Sequence, residues 1–268
     1  MKFTIFGATG VVGSHLRNFL LQRGFEVYAP RRGDLSLQNR NLGHVIYCIG
    51  VTADFRRKPF ETVSAHISVL SELLSHASFD SFLYLSSTRV YLGAKSTDEL
   101  ADCNVNVNRQ DDFYNLTKLT GESLCLVSGR NNVRIARLSN VFNADKSSMN
   151  FLSEIVNAAI TQKRLTLHTS LDSSKDYILM DDALMLLTQI ALSGQKSLYN
   201  VASGLNITNR ILAEQLIQIT GCELHIDIDA PTILFPPISV ARISEEFFHP
   251  TRRVMDELPK IIFDFKRI

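Results

Sequence analysis

Short runs that are apolar almost throughout alternate, in the first half of this chain, with segments whose apolar residues recur every three or four positions. Residues 2–6, 26–29, 44–49, 82–86 and 133–138 are runs of the first kind, the pattern of strands covered by helices on both faces. Val12, Leu16, Phe19 and Leu20 share one helical face, and Gly24 stands where that helix would stop. Val63, Ile67, Leu70 and Leu74 predict a second amphipathic helix ahead of the fourth strand. Tyr114, Lys118 and Glu122 step by four and fall along one face of a third. Strand and helix in alternation predict right-handed βαβ units and a mostly parallel sheet, hence an α/β protein.

Beyond about Phe142 the pattern loosens into a helix over 151–160, a strand over 164–168, a helix from Asp181-Asp182, a strand over 197–201 and a helix opening at Thr208. The two aspartates are expected to cap their helix by accepting first-turn N–H bonds. The remainder, with Pro231, Pro236, Pro237 and Pro250, reads as loop-rich. No Gly/Ser linker, long charge run or repeat divides the chain. Two interleaved lobes are therefore expected rather than independent domains.

Composition narrows the class. A chain of 268 residues that is 45% hydrophobic can bury a large core. Its 28 basic and 27 acidic residues nearly balance, so no overall field favours nucleic acid or an anionic membrane. Cys48, Cys103, Cys125 and Cys222 are far apart and show no metal-ligand spacing, nor do His168, His225 and His249. Neither a signal peptide nor a long apolar span is evident. The expectation is a soluble, cytoplasmic protein with reduced thiols, no metal, and no nucleic-acid or membrane partner.

Gly7-Ala8-Thr9-Gly10-Val11-Val12-Gly13 lies between the first strand and the first helix. One glycine permits a tight turn, another lets a pyrophosphate approach the backbone, and the last allows close helix packing; the free N–H groups of the helix N-terminus face the anion. Gly7, Thr9, Gly10, Val11, Val12 and Gly13 are thus candidate cofactor residues. The expected fold is a Rossmann-type, doubly wound sheet with a small C-terminal substrate lobe. Residues 1–142 would form the dinucleotide-binding core, completed by about 179–202, and 143–268 mainly the substrate lobe. The second strand ends in Ala29-Pro30-Arg31-Arg32, with no acid for ribose hydroxyls and two guanidinium groups that suit a 2′-phosphate. NADP is favoured over NAD on that ground. Asp34, with Leu35 beside it, is expected to face the adenine.

Tyr114-Asn115-Leu116-Thr117-Lys118 places a phenol and an ammonium one helical turn apart. The lysine charge and the oxidised nicotinamide would favour the phenolate, and the lysine would also hold the cofactor ribose. Ser87, at the end of Leu83-Tyr84-Leu85-Ser86-Ser87, would orient the substrate oxygen. The order of glycine loop, strand-end serine and Tyr/Lys helix gives each weak motif its weight, because ligands gather at strand C-terminal ends in such sheets. Asp54, Arg56, Arg57 and Lys58 read as a solvated loop.

These motifs resemble the extended short-chain dehydrogenase/reductase family, the NAD(P)-dependent nucleotide-sugar epimerase, dehydratase and reductase group. The likeness runs through Gly7, Gly10 and Gly13, through Leu85-Ser86-Ser87-Thr88-Arg89-Val90-Tyr91, and through Tyr114 and Lys118. It implies Ser87, Tyr114 and Lys118 as catalytic residues. Asn140 matches a family asparagine near the substrate diphosphate, and Lys175 in Lys175-Asp176-Tyr177 replaces a phosphate-binding arginine. Thr88-Arg89 departs from the Asp-Glu of the dehydratases, His66 replaces a common helix asparagine, and Asn143 stands where a glycine is usual. The resemblance implies a nucleotide-sugar oxidoreductase, with 4-keto reduction preferred, 4-epimerisation with a retained cofactor as the alternative, and a non-catalytic nucleotide sensor or scaffold as a reading of another class. A homodimer through the helices bearing Val63 and Tyr114 is a family expectation.

Overall fold

The computed structural model describes residues 1–34, 40–142, 151–249 and 252–267, except for the side chains of 264–267. Leu35 and Asn143 lie outside the described residues. Strand β1 (Lys2–Phe6) leads into helix α1 (Val11–Gln22), followed by β2 (Glu26–Tyr28) and β3 (His44–Tyr47). Helix α2 (Pro59–Val63), a π-helical turn (Ser64–Ser68) and α3 (Val69–His76) run on to β4 (Ser81–Ser87). A 3-10 turn (Thr88–Tyr91), α4 (Asp112–Val127), β5 (Val133–Leu138) and β6 (Asn140–Phe142) come next. The C-terminal part contains α5 (Phe151–Thr161), β7 (Arg164–Leu167), β8 (Ser174–Leu179), α6 (Met180–Ser193), β9 (Leu198–Val201) and β10 (Asn206–Thr208). It closes with α7 (Asn209–Thr220), β11 (Glu223–Ile226), α8 (Ala241–Glu246) and α9 (Val254–Arg267).

Six strands form the main sheet in the order β2-β1-β3-β4-β5-β9, with every neighbouring pair parallel. The expected Rossmann-type, doubly wound architecture is the one observed. Side chains alternate across the sheet. Phe3, Ile5, Ile46 and Leu83 meet α1 and α6 on one face, while Phe6, Val45, Tyr47 and Tyr84 lie on the other with Leu70, Leu73 and Leu74 of α3. Burial on both faces is why these strands lack polar alternation. The chain steps outward from β1 to β2 and then crosses to β3 on the other side of β1. That reversal opens a crevice at the strand C-termini, and the loop after β1 sits in it.

Smaller sheets, β10-β8-β6 and β11-β7, extend the C-terminal part. A third core there joins Leu152, Ile155 and Val156 of α5 to Leu212 and Leu216 of α7 and to Val254, Leu258 and Ile262 of α9. The stretch expected to be loop-rich therefore contains two helices. In α9, Pro259 cannot bond the carbonyl of Met255 four residues earlier, and Gln215 of α7 donates to that oxygen instead, at 3.0 Å. Tertiary contact thus supplies the bond whose loss normally argues against helix. The expected capping by Asp181-Asp182 is also corrected: α6 has no side-chain cap, and Asp182 is buried against the guanidinium of Arg252, 70 residues away. Both aspartates still lie in the first turn, where the helix dipole favours negative charge. Thr208, by contrast, caps α7 by accepting from Ile211 N–H at 3.2 Å.

Candidate active site

The glycine loop divides its tasks among three positions. Gly7 has φ +82° and packs so tightly that a Cβ would lie 2.8 Å from the Cys48 backbone. Both facts exclude a side chain. A Cβ on Gly13 would collide with the carbonyl oxygen of Gly7, so this residue lets α1 close on β1. At Gly10 a Cβ would touch only the Gly7 oxygen, at 3.4 Å, leaving open space above an exposed backbone. Gly10 caps α1 without any side-chain bond, and the first helical bond runs from Ser14 N–H to Gly10. The N–H groups of Val11, Val12 and Gly13 therefore lack helical acceptors, as an incoming pyrophosphate requires. Thr9 is exposed beside them. Past β2, Arg31 and Arg32 are exposed, and Asp34 accepts the Tyr28 phenol at 3.1 Å. A dinucleotide fits this cradle by its backbone geometry alone.

Ser87 and Tyr114 are brought together where β4 meets α4. The Tyr114 phenol is buried, and the side chains of Ser87 and Thr52 lie near enough to favour its ionised form. Its ring is held by Phe55 at 5.5 Å and by the edge-on imidazole of His66 at 5.4 Å. Burial raises the phenol above its ordinary pKa, while the two hydroxyls and the Arg89 charge oppose the rise. Arg89 is thus a cation that favours the ionised phenol. Lys118 is drawn toward the sheet, donating to the Leu85 carbonyl at 2.8 Å. Burial lowers its pKa to about 8, partly opposed by Glu122. An ammonium has three donors, so the bond to Leu85 leaves others for a ribose. Ser86, one residue before Ser87, points elsewhere and donates to Glu122 at 2.5 Å.

His66 lies in the π-helical turn and is fully buried. The widened turn exposes carbonyls that the sheet then uses: Tyr47 donates to Ala65 at 2.6 Å and Tyr84 to His66 at 3.5 Å. The imidazole itself has fixed roles. Thr117 spends its hydroxyl proton on the Tyr114 carbonyl, so His66 Nδ1–H donates to Thr117 Oγ1 at 2.9 Å. Its Nε2 accepts from Val51 N–H at 3.2 Å. His66 is therefore neutral, and it ties the backbone after β3 to the Tyr/Lys helix. Burial first, then the Lys118 charge, pushes its pKa down to about 2.

The sign of the resulting pH dependence follows from linkage. Below the ordinary histidine value of 6.5, the unfolded chain binds a proton that the folded chain refuses, so stability falls as pH falls. At about 1.4 kcal/mol per pH unit, roughly 2 kcal/mol should be lost between about pH 6.5 and 5. His66→Asn is expected to flatten this limb, read as the unfolding free energy against pH. An equally steep limb in the variant would show that another group is responsible.

The remaining predicted residues lie on the rim formed by the C-terminal part. Asn140 opens β6 and donates to the Asp176 carbonyl at 2.9 Å. Asp176 is buried and fastens this region, accepting from Ser139, from Ser203 and from Leu205 N–H. Lys175 is half-buried with Nζ 4.8 Å from the centre of the Phe151 ring, and burial followed by the Arg89 charge lowers its pKa. Leu234, bridged to Ser174, shares an opening with Leu92 and Gly93 just past the 3-10 turn. Lys175 and Arg89 are close enough for the one charge to act on the other. Thr52 and Phe55 had no motif to reveal them, and Arg89 stood in the sequence only as a departure from the dehydratase Asp-Glu. Arg56, placed in a solvated loop, is exposed and pairs with Asp111 at the start of α4.

The profile of the NAD dependent epimerase/dehydratase family matches residues 3–202. The chain belongs to this family. The matched stretch carries the glycine loop, Ser87, Tyr114 and Lys118. A dTDP-D-glucose 4,6-dehydratase of Dictyostelium discoideum is 22% identical over 164 residues, covering 56% of this chain and 38% of that protein. The match therefore spans just over a third of the relative's length. Among solved structures, MoeE5 in complex with UDP-glucose and NAD has a TM-score of 0.84 at 18% identity, covering 100% of this chain and 99% of the other. RMD from Pseudomonas aeruginosa, complexed with NADPH, has a TM-score of 0.80 at 23% identity, with 99% of each chain covered. At these identities the likeness to both structures is one of fold, and it extends over the whole chain.

Proposed function

We propose that this protein is an NAD(P)-dependent oxidoreductase acting on a nucleotide sugar, and that it reduces a 4-keto group. The observation that carries the reading is the buried Tyr114 phenol, with Ser87 and Thr52 near it and Lys118 one turn further along the same helix. A bound nicotinamide would supply the hydride. Gly7, Gly10 and Gly13 would admit its pyrophosphate, and Lys118 would hold a ribose hydroxyl. Burial keeps Tyr114 protonated near neutrality, which suits a group that must give a proton to the sugar oxygen as it becomes an alcohol. Ser87 would orient that oxygen, and the exposed Thr52 hydroxyl would return a proton to Tyr114 from water. Thr88 and Arg89 provide no carboxyl acid or base, which argues against dehydration. Arg31 and Arg32 favour NADP, and residues 143–268 would supply most of the substrate lobe.

Lys175 and Asn140 would meet the diphosphate. Lys175→Ala is expected to raise KM by roughly 10-fold, the scale of one charged hydrogen bond, with a smaller change in kcat. The test of the reading combines purified protein, NADPH or NADH, and a panel of nucleotide 4-ketosugars and nucleotide sugars, following cofactor oxidation and sugar products together. Stoichiometric oxidation supports reduction. Interconversion of sugars without net oxidation would replace it by epimerisation, and cofactor binding without turnover would favour a sensor.

A further inference from the structure

Arg89 makes no salt bridge among the described residues. It follows Ser87 by two residues, and its backbone N–H donates to the Ser87 hydroxyl at 3.2 Å. Its guanidinium lies 5.3 Å from the Phe55 ring centre and 5.6 Å from that of Tyr114. Its Nε is buried without a partner, and its guanidinium makes a long 3.5 Å contact to the Asp111 carbonyl. The nearby carboxylates are already engaged: Asp111 pairs with Arg56, and Asp112 with Arg109 and the Asn106 N–H. Lys175 adds a second positive charge close enough to be felt. Asp111 and Asp112 still act on Arg89 through their charge, but neither carboxylate bonds its guanidinium, and part-burying a guanidinium without a bonded anion is costly unless one arrives with the ligand.

Position identifies the anion. On the proposed reading, on which this inference rests, the phenol acts at C4 of a hexose. The diphosphate hangs from C1, across the ring, toward Lys175 and Asn140. The group that carries an acid next to C4 is C6, attached through C5. A planar guanidinium matches a carboxylate bidentately. We infer that Arg89 receives the C6 carboxylate of a nucleotide-linked hexuronic acid, making it the residue that selects a uronate over a neutral sugar.

The test is calorimetric titration of the cofactor-loaded protein with UDP-glucuronate, UDP-glucose and UDP, repeated with Arg89→Met. The wild type should bind the uronate roughly 10- to 100-fold more tightly than the neutral sugar, the scale of a charge-assisted pair. Arg89→Met should remove most of that ratio while retaining affinity for UDP. Far-UV circular dichroism of the variant checks that it is folded, and Arg89→Lys should keep part of the preference. Equal affinities in the wild type overturn the assignment. Equal weakening of all three ligands would place Arg89 on the diphosphate and overturn it too. If UDP-glucose and UDP bind but no uronate preference exists, only the role of Arg89 falls; if UDP itself does not bind, the nucleotide-sugar reading falls and the inference with it.

Discussion

Replacing Tyr114 by phenylalanine is expected to lower kcat by about 10²- to 10⁴-fold, the usual worth of a positioned proton-transfer group, with cofactor affinity and thermal stability close to wild type. The ring contacts with Phe55 and His66 remain possible for phenylalanine, so the helix should keep its place. What disappears is the hydroxyl whose ionisation Ser87 and Thr52 favour. Thr52 is exposed and can turn to water in the variant. The pH profile adds a second readout. A phenol held above its ordinary value by burial remains a proton donor through neutrality, so reduction should stay active there and decline only in alkali, a limb that Tyr114→Phe removes. Full activity in the variant would exclude Tyr114 as the proton donor.

Arg137→Ala is expected to cost about 3–5 kcal/mol of unfolding free energy, because it leaves a buried carboxylate without its partner. Arg137 and Glu122 have side-chain exposures of only 5% and 4%. The guanidinium donates to both Glu122 oxygens, at 3.0 Å and 2.7 Å, and to the Tyr91 hydroxyl at 2.7 Å. Tyr91 in turn donates to Asn200 at 2.9 Å. This network links β4, α4, β5 and β9 directly beneath the site. Against a typical total of about 5–15 kcal/mol the loss is large, and a urea unfolding curve should show it as a fall in midpoint. Removing both charges, as in Glu122→Gln with Arg137→Met, is expected to recover most of it, since no unpaired charge then stays buried. A loss below about 1 kcal/mol in Arg137→Ala would mean that water reaches Glu122 and the pair is not sealed.

The single sequence determined what depends on neighbours along the chain. Apolar runs and helical spacing gave the five leading strands of the main sheet and the helices that cover them, because strand and helix repeat at short, fixed periods. The glycine loop was legible for the same reason: a left-handed turn at Gly7 and close packing at Gly13 each demand a residue without Cβ. Tyr114 and Lys118 were legible as a four-step pair on one helix. Helix α9 was not, since its continuity past Pro259 depends on Gln215 of another helix. Asp182 was read as a cap because its partner, Arg252, is remote in sequence.

Only the tertiary structure decided the electrostatics of the site. It turned Lys118 to the Leu85 carbonyl and put Arg89 beside the phenol. It also brought Thr52 to Tyr114, from a loop 62 positions earlier, and fixed the neutral tautomer of His66 through Thr117 and Val51. These groups come from separate crossovers of a parallel sheet, whose strand ends meet only after the chain has wound back on itself. Local periodicity carries no record of that meeting, whereas burial and charge, which set each pKa, depend on it entirely.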